Sequence, residues 1–204
     1  MSETESAENL LIDTNEYLKA GIHIGTKYKT KYMKEFIYKT RPDGLSVLNL
    51  KKIDERLRVA MKFLSNYKPE EILLVSRREN GWKGLRIINK LTGIKIITGR
   101  YPPGILTNTN LETFIEPKVM MVCDPWPDKN AIVDASKAGI PVVALCDTNN
   151  EPNNIDLIIP GNNKGKKSIG LFLYIVAREY MRAKSMLRGD QELENYVVDD
   201  FVEE

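Results

Sequence analysis

Between residues 72 and 159 the chain alternates short, continuous apolar runs with stretches whose apolar positions recur every three or four residues. The runs Ile72 to Ser76, Ile94 to Thr98, Val119 to Cys123, Val142 to Cys146 and Leu157 to Ile159 show no strict polar alternation. That pattern predicts strands buried on both faces of a sheet. Helices are predicted over Gly81 to Leu91 and Lys129 to Ala138, the second stopping at Gly139 with Pro141 close behind. Upstream, Lys51 to Asn66 places Ile53, Leu57, Ala60, Met61 and Leu64 on one helical face, with Lys52, Arg56, Arg58 and Lys62 mostly elsewhere. A last helix, Lys167 to about Leu187, is apolar nearly all round from Ile169 to Ala177 and is expected to be buried there. Its end carries Arg178, Arg182, Lys184 and Arg188, where cations suit the helix dipole. Before these elements, Leu45 to Leu50 reads as a hairpin partner of Glu35 to Tyr38 across the turn Arg41-Pro42-Asp43-Gly44. Strands alternating with helices predict an α/β sandwich with a mainly parallel sheet.

A chain of 204 residues with 42% hydrophobic residues can bury one sizeable core and does not need two. No apolar run approaches the roughly 18 to 20 residues of a membrane span, and the stretch Met1 to Asn9 is acidic, unlike a secretory or transit peptide. A soluble cytoplasmic protein is the expectation. Cys123 and Cys146 each close an apolar run, which favours buried reduced thiols over a disulfide.

Charge changes the picture once it is divided along the chain. Residues 1–16 hold five acids and residues 190–204 hold seven, with no Lys or Arg in either segment. Both therefore read as flexible, solvated acidic tails. The intervening 17–189 keep 16 acids against 30 Lys and Arg, a surplus of 14 positive charges. Such a field attracts polyanions.

Enzyme motifs find little support. No candidate strand is followed by the G-x-G-x-x-G turn of dinucleotide-binding folds. Gly161-Asn162-Asn163-Lys164-Gly165-Lys166-Lys167-Ser168 imitates a phosphate-binding loop, but only three residues separate its glycines where the motif needs four, and an extra Lys interrupts the closing Lys-Ser. What survives is a basic, glycine-containing helix start that could seat an RNA phosphate. Asp124 and Asp147 directly follow apolar strands, where two carboxylates could hold magnesium for a phosphate-ester enzyme. Turn and cap chemistry is the favoured reading, since Pro125-Trp126-Pro127 follows Asp124. The single histidine, His23, sits in Gly21-Ile22-His23-Ile24-Gly25 without a second His or a cysteine cluster, so a packed or backbone-bonded ring is expected. A module that binds protein partners through the acidic tails is a third reading.

The strongest chemical signal is an arm at 26–44. Lys27, Tyr28, Lys29, Lys31, Tyr32, Lys34, Phe36, Tyr38, Lys39 and Arg41 interleave cations with aromatic rings. Cations contact phosphates and exposed rings stack unpaired bases. Phe36 and Tyr38 are expected to face the core of the hairpin. Basic pairs at Arg77-Arg78 and Lys166-Lys167 could extend the same footprint.

These residues resemble a known family. Tyr17 to Gly25, Arg41 to Leu45 leading into Asn49 to Lys52, Gly99 to Asn108, Pro117 to Asp124, Ala135 to Asp147 and Ile159 to Ser168 are similar to the signature segments of the universal small-subunit ribosomal protein two family, in order, over roughly residues 14 to 188. Only Thr109 to Lys118 separates Asn108 from the next strand. That leaves no room for the coiled-coil insertion of bacterial members, so the chain looks like the archaeal and eukaryotic type, and the lack of a long C-terminal extension favours an archaeon. The resemblance implies a three-layer α/β/α flavodoxin-like domain over 17–189, with a basic hairpin arm and acidic tails. It also implies a structural, non-enzymatic place between the head and body of the small subunit, with ribosomal RNA and neighbouring ribosomal proteins as partners. No cofactor, metal, membrane or small-molecule substrate comes with it. The expected RNA contacts are Lys27, Lys29, Lys31, Lys34 and Arg41 of the arm, Arg77 and Arg78, Arg100, and Lys164, Lys166 and Lys167 at the helix start.

Overall fold

The apolar runs pair into one five-stranded parallel sheet, flanked by helices whose apolar faces cover it. The computed structural model describes residues 10–187, 193 and 196–203. A two-stranded hairpin comes first, with β1 (Ile37–Thr40) antiparallel to β2 (Ser46–Leu48). The sheet follows with β3 (Ile72–Ser76), β4 (Lys95–Thr98), β5 (Val119–Val122), β6 (Val142–Cys146) and β7 (Leu157–Pro160), in the order β4-β3-β5-β6-β7. Counted within the sheet this is 2-1-3-4-5, the doubly wound order of flavodoxin-like folds. The helices are α1 (Thr14–Ala20), α2 (Leu50–Leu64), α3 (Trp82–Thr92), α4 (Lys129–Lys137) and α5 (Lys166–Ala183). From β3 the crossover through α3 runs to one side, and from β5 the crossover through α4 runs to the other. Right-handed connections therefore put these two helices on opposite faces. The apolar half of α5 packs against α1, α2 and α3, and Ser168 through Arg178 are all buried.

Burial on both faces holds for β3, β5 and β6, whose residues are all buried, and fails at the two edge strands, at β4 and at the half-buried Leu157 and Ile158 of β7. Lys95 is exposed and Ile96 to Thr98 half-buried, because β4 is an edge strand with a partner on one side only. In the hairpin the expected pairing shifts to Ile37–Thr40, since Tyr32–Phe36 winds into a 3-10 helix that buries Met33 and Phe36. Tyr38 is exposed, against expectation, because it lies on the outer face of a ribbon packed on one side only.

The solvated-tail expectation is corrected at both ends. Ile12 is buried, Leu10 and Leu11 pack against the core, and α1 buries Tyr17. A buried carboxylate ties this segment down. Asp54 accepts from the Leu11 amide at 2.8 Å, the Tyr17 hydroxyl at 3.0 Å and Arg58 Nε at 2.7 Å. Arg178, placed by the sequence among the cations at the end of the last helix, is buried and donates to the Leu11 carbonyl at 2.6 Å. At the other end a 3-10 turn, Val198–Phe201, buries Phe201 edge-on to Tyr174. Helix α5 makes room for it with Gly170, where a Cβ would lie 2.7 Å from Val202 Cγ2 and 3.2 Å from the Phe201 carbonyl oxygen. The Glu203 carboxylate accepts from the Lys83 amide at 2.8 Å, placing an acid at the N-terminus of α3. Apolar residues scattered among the acids overrule the composition. The remaining tail residues, and Arg188 at the predicted end of the last helix, lie outside the described residues.

Both cysteines are free and buried, and burial pushes the Cys123 thiol up to about 12. No helix among the described residues is long and apolar enough to cross a membrane.

Candidate nucleic-acid interface

In a parallel sheet every strand ends at the same edge, so residues just past different strands become neighbours whatever their distance in sequence. Arg77 and Arg78 follow β3, Arg100 follows β4 through Gly99, whose amide donates to the Ser76 carbonyl at 3.0 Å, and Lys164, Lys166 and Lys167 follow β7. The arm comes to this edge as well. The Thr26 amide donates to Thr148 Oγ1 at 2.9 Å and the Thr30 amide to the Thr148 carbonyl at 2.9 Å, while the Thr148 hydroxyl donates to the Tyr28 carbonyl at 3.0 Å. Thr30 Oγ1 adds a bond to the Asn150 carbonyl. The base of the arm thus rests on the loop after β6, and Lys27, Lys29 and Lys31 are exposed along it.

The other predicted arm cations sit further out. Lys34 is exposed on the 3-10 helix, and Arg41 lies in the hairpin turn, 3.7 Å from Asp43. Lys27 runs beside Gly44 of the same turn, and Lys29 Nζ donates to Thr40 Oγ1 at 3.2 Å. Beneath, Phe36 is held under the cations of Lys52 and Arg56 on α2, and Lys52 donates to the Glu35 carbonyl.

Three buried acids underlie the edge, each occupied by donors from the protein. Asp124 Oδ2 meets Arg78 Nε at 2.5 Å, and its Oδ1 accepts from the Trp126 amide at 3.0 Å. Asp147 Oδ1 accepts from the Thr148 amide at 2.6 Å, and its Oδ2 lies 3.4 Å from Lys164 Nζ. Asp128 accepts from the Arg77 amide at 3.0 and 3.3 Å. Burial pushes the Asp128 carboxyl up to about 7, with the Arg77 amide pulling the other way. Burial also raises Asp147, opposed by the Thr148 amide and by Lys164. Asn150 and Asn163 stitch the floor together. Asn150 Oδ1 accepts from the Asp147 amide at 2.7 Å and from Asn163 Nδ2 at 2.9 Å. Asp124 and Asp147 therefore act as anchors for Arg78 and Lys164, whose side chains are only about a third exposed, 31% and 38%.

At the start of α5 the Asn162 side chain takes the amides of Lys164 and Gly165, and no side chain caps the helix itself. Lys166 and Lys167 are exposed there. His23 is half-buried, and burial lowers its pKa, as expected of a packed ring; its buried Nδ1 meets no hydrogen-bond partner among the described residues.

Two features were missed from sequence. The scaffolding amides Asn150, Asn162 and Asn163 carry the edge, and their only signal was an excess of Asn in the loops after strands. Trp126, read as turn chemistry, is 71% exposed beside the arm's Tyr28 at 73%.

A family model described as Ribosomal protein S2 matches residues 17–115 and 110–183. Three relatives, each a Small ribosomal subunit protein uS2, are similar over nearly the whole chain. The one from Nanoarchaeum equitans is 49% identical over 90% of this chain and 91% of its own length. That from Methanococcus maripaludis is 50% identical over 89% and 83%. That from Saccharolobus solfataricus is 45% identical over 94% and 83%.

Proposed function

The chain belongs to the ribosomal protein S2 family, and on that premise we propose how it serves the small ribosomal subunit. It is a structural constituent of that subunit, not an enzyme, and works in the cytoplasm as part of the ribosome. Lys27, Lys29, Lys31, Lys34 and Arg41 of the arm, Arg77, Arg78 and Arg100, and Lys164, Lys166 and Lys167 neutralise phosphates of small-subunit ribosomal RNA. The buried sheet fixes these cations relative to one another, so contacts go to backbone and groove shape more than to base identity. Neighbouring ribosomal proteins complete its seat between head and body, where it supports assembly and translation.

The observation that carries this reading is the convergence of cations from separate strands, together with the arm docked on Thr148, at one edge of the sheet. Arg78 and Lys164 are held by buried acids, so they contribute position as much as charge. The exposed arm lysines supply the larger share of phosphate neutralisation.

The test is salt-dependent binding to small-subunit ribosomal RNA, comparing the parent with a Lys27→Glu, Lys29→Glu, Lys31→Glu, Lys34→Glu variant of verified fold. Losing four phosphate contacts should flatten the slope of log affinity against log salt by roughly three. A shallow slope shared by both proteins would remove the arm from the interface.

A further inference from the structure

Tyr28 and Trp126 line one groove of about 600 Å³ beside the arm, and both rings are largely exposed although their backbones are pinned. Trp126 stands between Pro125 and Pro127 with its amide held by Asp124. The Tyr28 carbonyl accepts from Thr148 Oγ1 at 3.0 Å and from Thr26 Oγ1 at 2.8 Å. Large aromatic faces kept in water on a fixed mount lose little entropy when something stacks on them. We propose that this groove is a stacking seat for one unpaired nucleobase of RNA. The inference deepens the RNA-binding reading above and rests on it.

The rest of the lining fits a nucleotide better than a peptide. Asn149 and Asn153 contribute amides, which pair with base edges, and Lys129 contributes a cation for the attached phosphate. Glu151 is the one acid among the lining residues. Lys129 opens α4, and the cap residue of that helix, Asp128, gives its carboxylate to the Arg77 amide instead of to α4. The phosphate end of the groove therefore borders a helix start with no side-chain cap. Exposed Lys27, Lys29 and Lys31 continue the cationic path along the arm for the flanking strand.

Trp82 and Trp126 are the two tryptophans, so a Trp82→Phe background makes Trp126 the sole indole reporter. Titration with a single-stranded oligoribonucleotide should quench its fluorescence, and a duplex of the same length should not. In the otherwise native protein, Tyr28→Ala and Trp126→Ala should each weaken single-strand binding about ten-fold at fixed salt, the loss expected for one stacked base. Their salt slopes should stay unchanged, and Trp126→Phe should recover most of the loss. Parent-like affinity in both alanine variants, with steep salt dependence retained, would overturn the stacking seat and leave the RNA reading standing. Absence of salt-dependent binding in every protein would sink both. Normal RNA affinity with failed incorporation of Trp126→Ala into small subunits would assign the groove to a protein neighbour and likewise overturn the proposal.

Discussion

Gly25 lies directly against Thr148: a Cβ at residue 25 would fall 2.5 Å from Thr148 Cγ2 and 3.1 Å from the Ser46 carbonyl oxygen. The same threonine holds the arm through the Thr26 amide and the Tyr28 carbonyl. A methyl group at residue 25 must displace the residue that positions the basic arm. Gly25→Ala is expected to cost about 1–3 kcal/mol in urea denaturation and to weaken RNA binding. Thr148→Ser removes Cγ2 and keeps the hydroxyl, so the double variant should recover part of both losses.

Asp54 joins the N-terminal segment to α2 through the Leu11 amide, the Tyr17 hydroxyl and Arg58. Asp54→Ala would leave the first two donors without this acceptor in a buried setting. A loss of roughly 3 kcal/mol in denaturant unfolding is expected. Amide exchange in α1 should accelerate more than in β6.

Asp128 makes stability depend on pH. In an open chain its carboxyl titrates at 3.8, in the folded protein at about 7, because burial disfavours the charge, as does Asp124 nearby. Across that window the folded state holds the proton more tightly, so this group's contribution to stability falls as pH rises from about 4 to about 7 and is level above. Asp128→Asn keeps an oxygen for the Arg77 amide and carries no charge. The variant should be roughly 1–3 kcal/mol more stable than the parent at pH 8, and the difference should vanish near pH 4. His23, whose pKa is lowered, adds the opposite slope below 6.5 in both proteins and cancels in the comparison.

Phe201 is fully buried between Tyr174 and Tyr196, whereas nearby Val197 is exposed. Phe201→Ala should cost about 3 kcal/mol or more and Val197→Ala almost nothing, read by thermal or denaturant unfolding. Equal, small effects would mean that this segment is not part of the core in solution.

Much of the architecture was legible because strong local signals agree with the tertiary result. The runs Ile72–Ser76 and Val142–Cys146 are bounded correctly at both ends, being buried runs closed by Glu71 and Arg77 in the first case and by Pro141 and Asp147 in the second. Helix α1 escaped notice because it is short and its stability comes from Asp54, 37 residues from Tyr17. The packed turn at Val198–Phe201 was hidden by averaging over its acids. The sharing of one edge by Arg77, Arg100 and Lys164 depends on strand order, which no single stretch of sequence encodes. Nor do Arg78 and Asp124, 46 residues apart, announce their ion pair. Trp126 looked like part of a proline turn, and only its burial state shows that the ring faces water.

The bond from the Lys83 amide to the Glu203 carboxylate closes a span of 120 residues. Such a contact comes with a large chain-closure entropy and no local reward, so it forms after the hairpin and the β3-α3-β4 unit have condensed. A refolding time course should therefore show two clocks, an early one from the sheet and a later one from the acidic segment settling over α3 and α5. Until the second has run, the glycine-lined seam at Gly84 and Gly170 stays open to water and to other chains. The acids of the segment that eventually seals it oppose the positive surplus of 17–189, so charge as well as apolar burial draws it onto its own molecule.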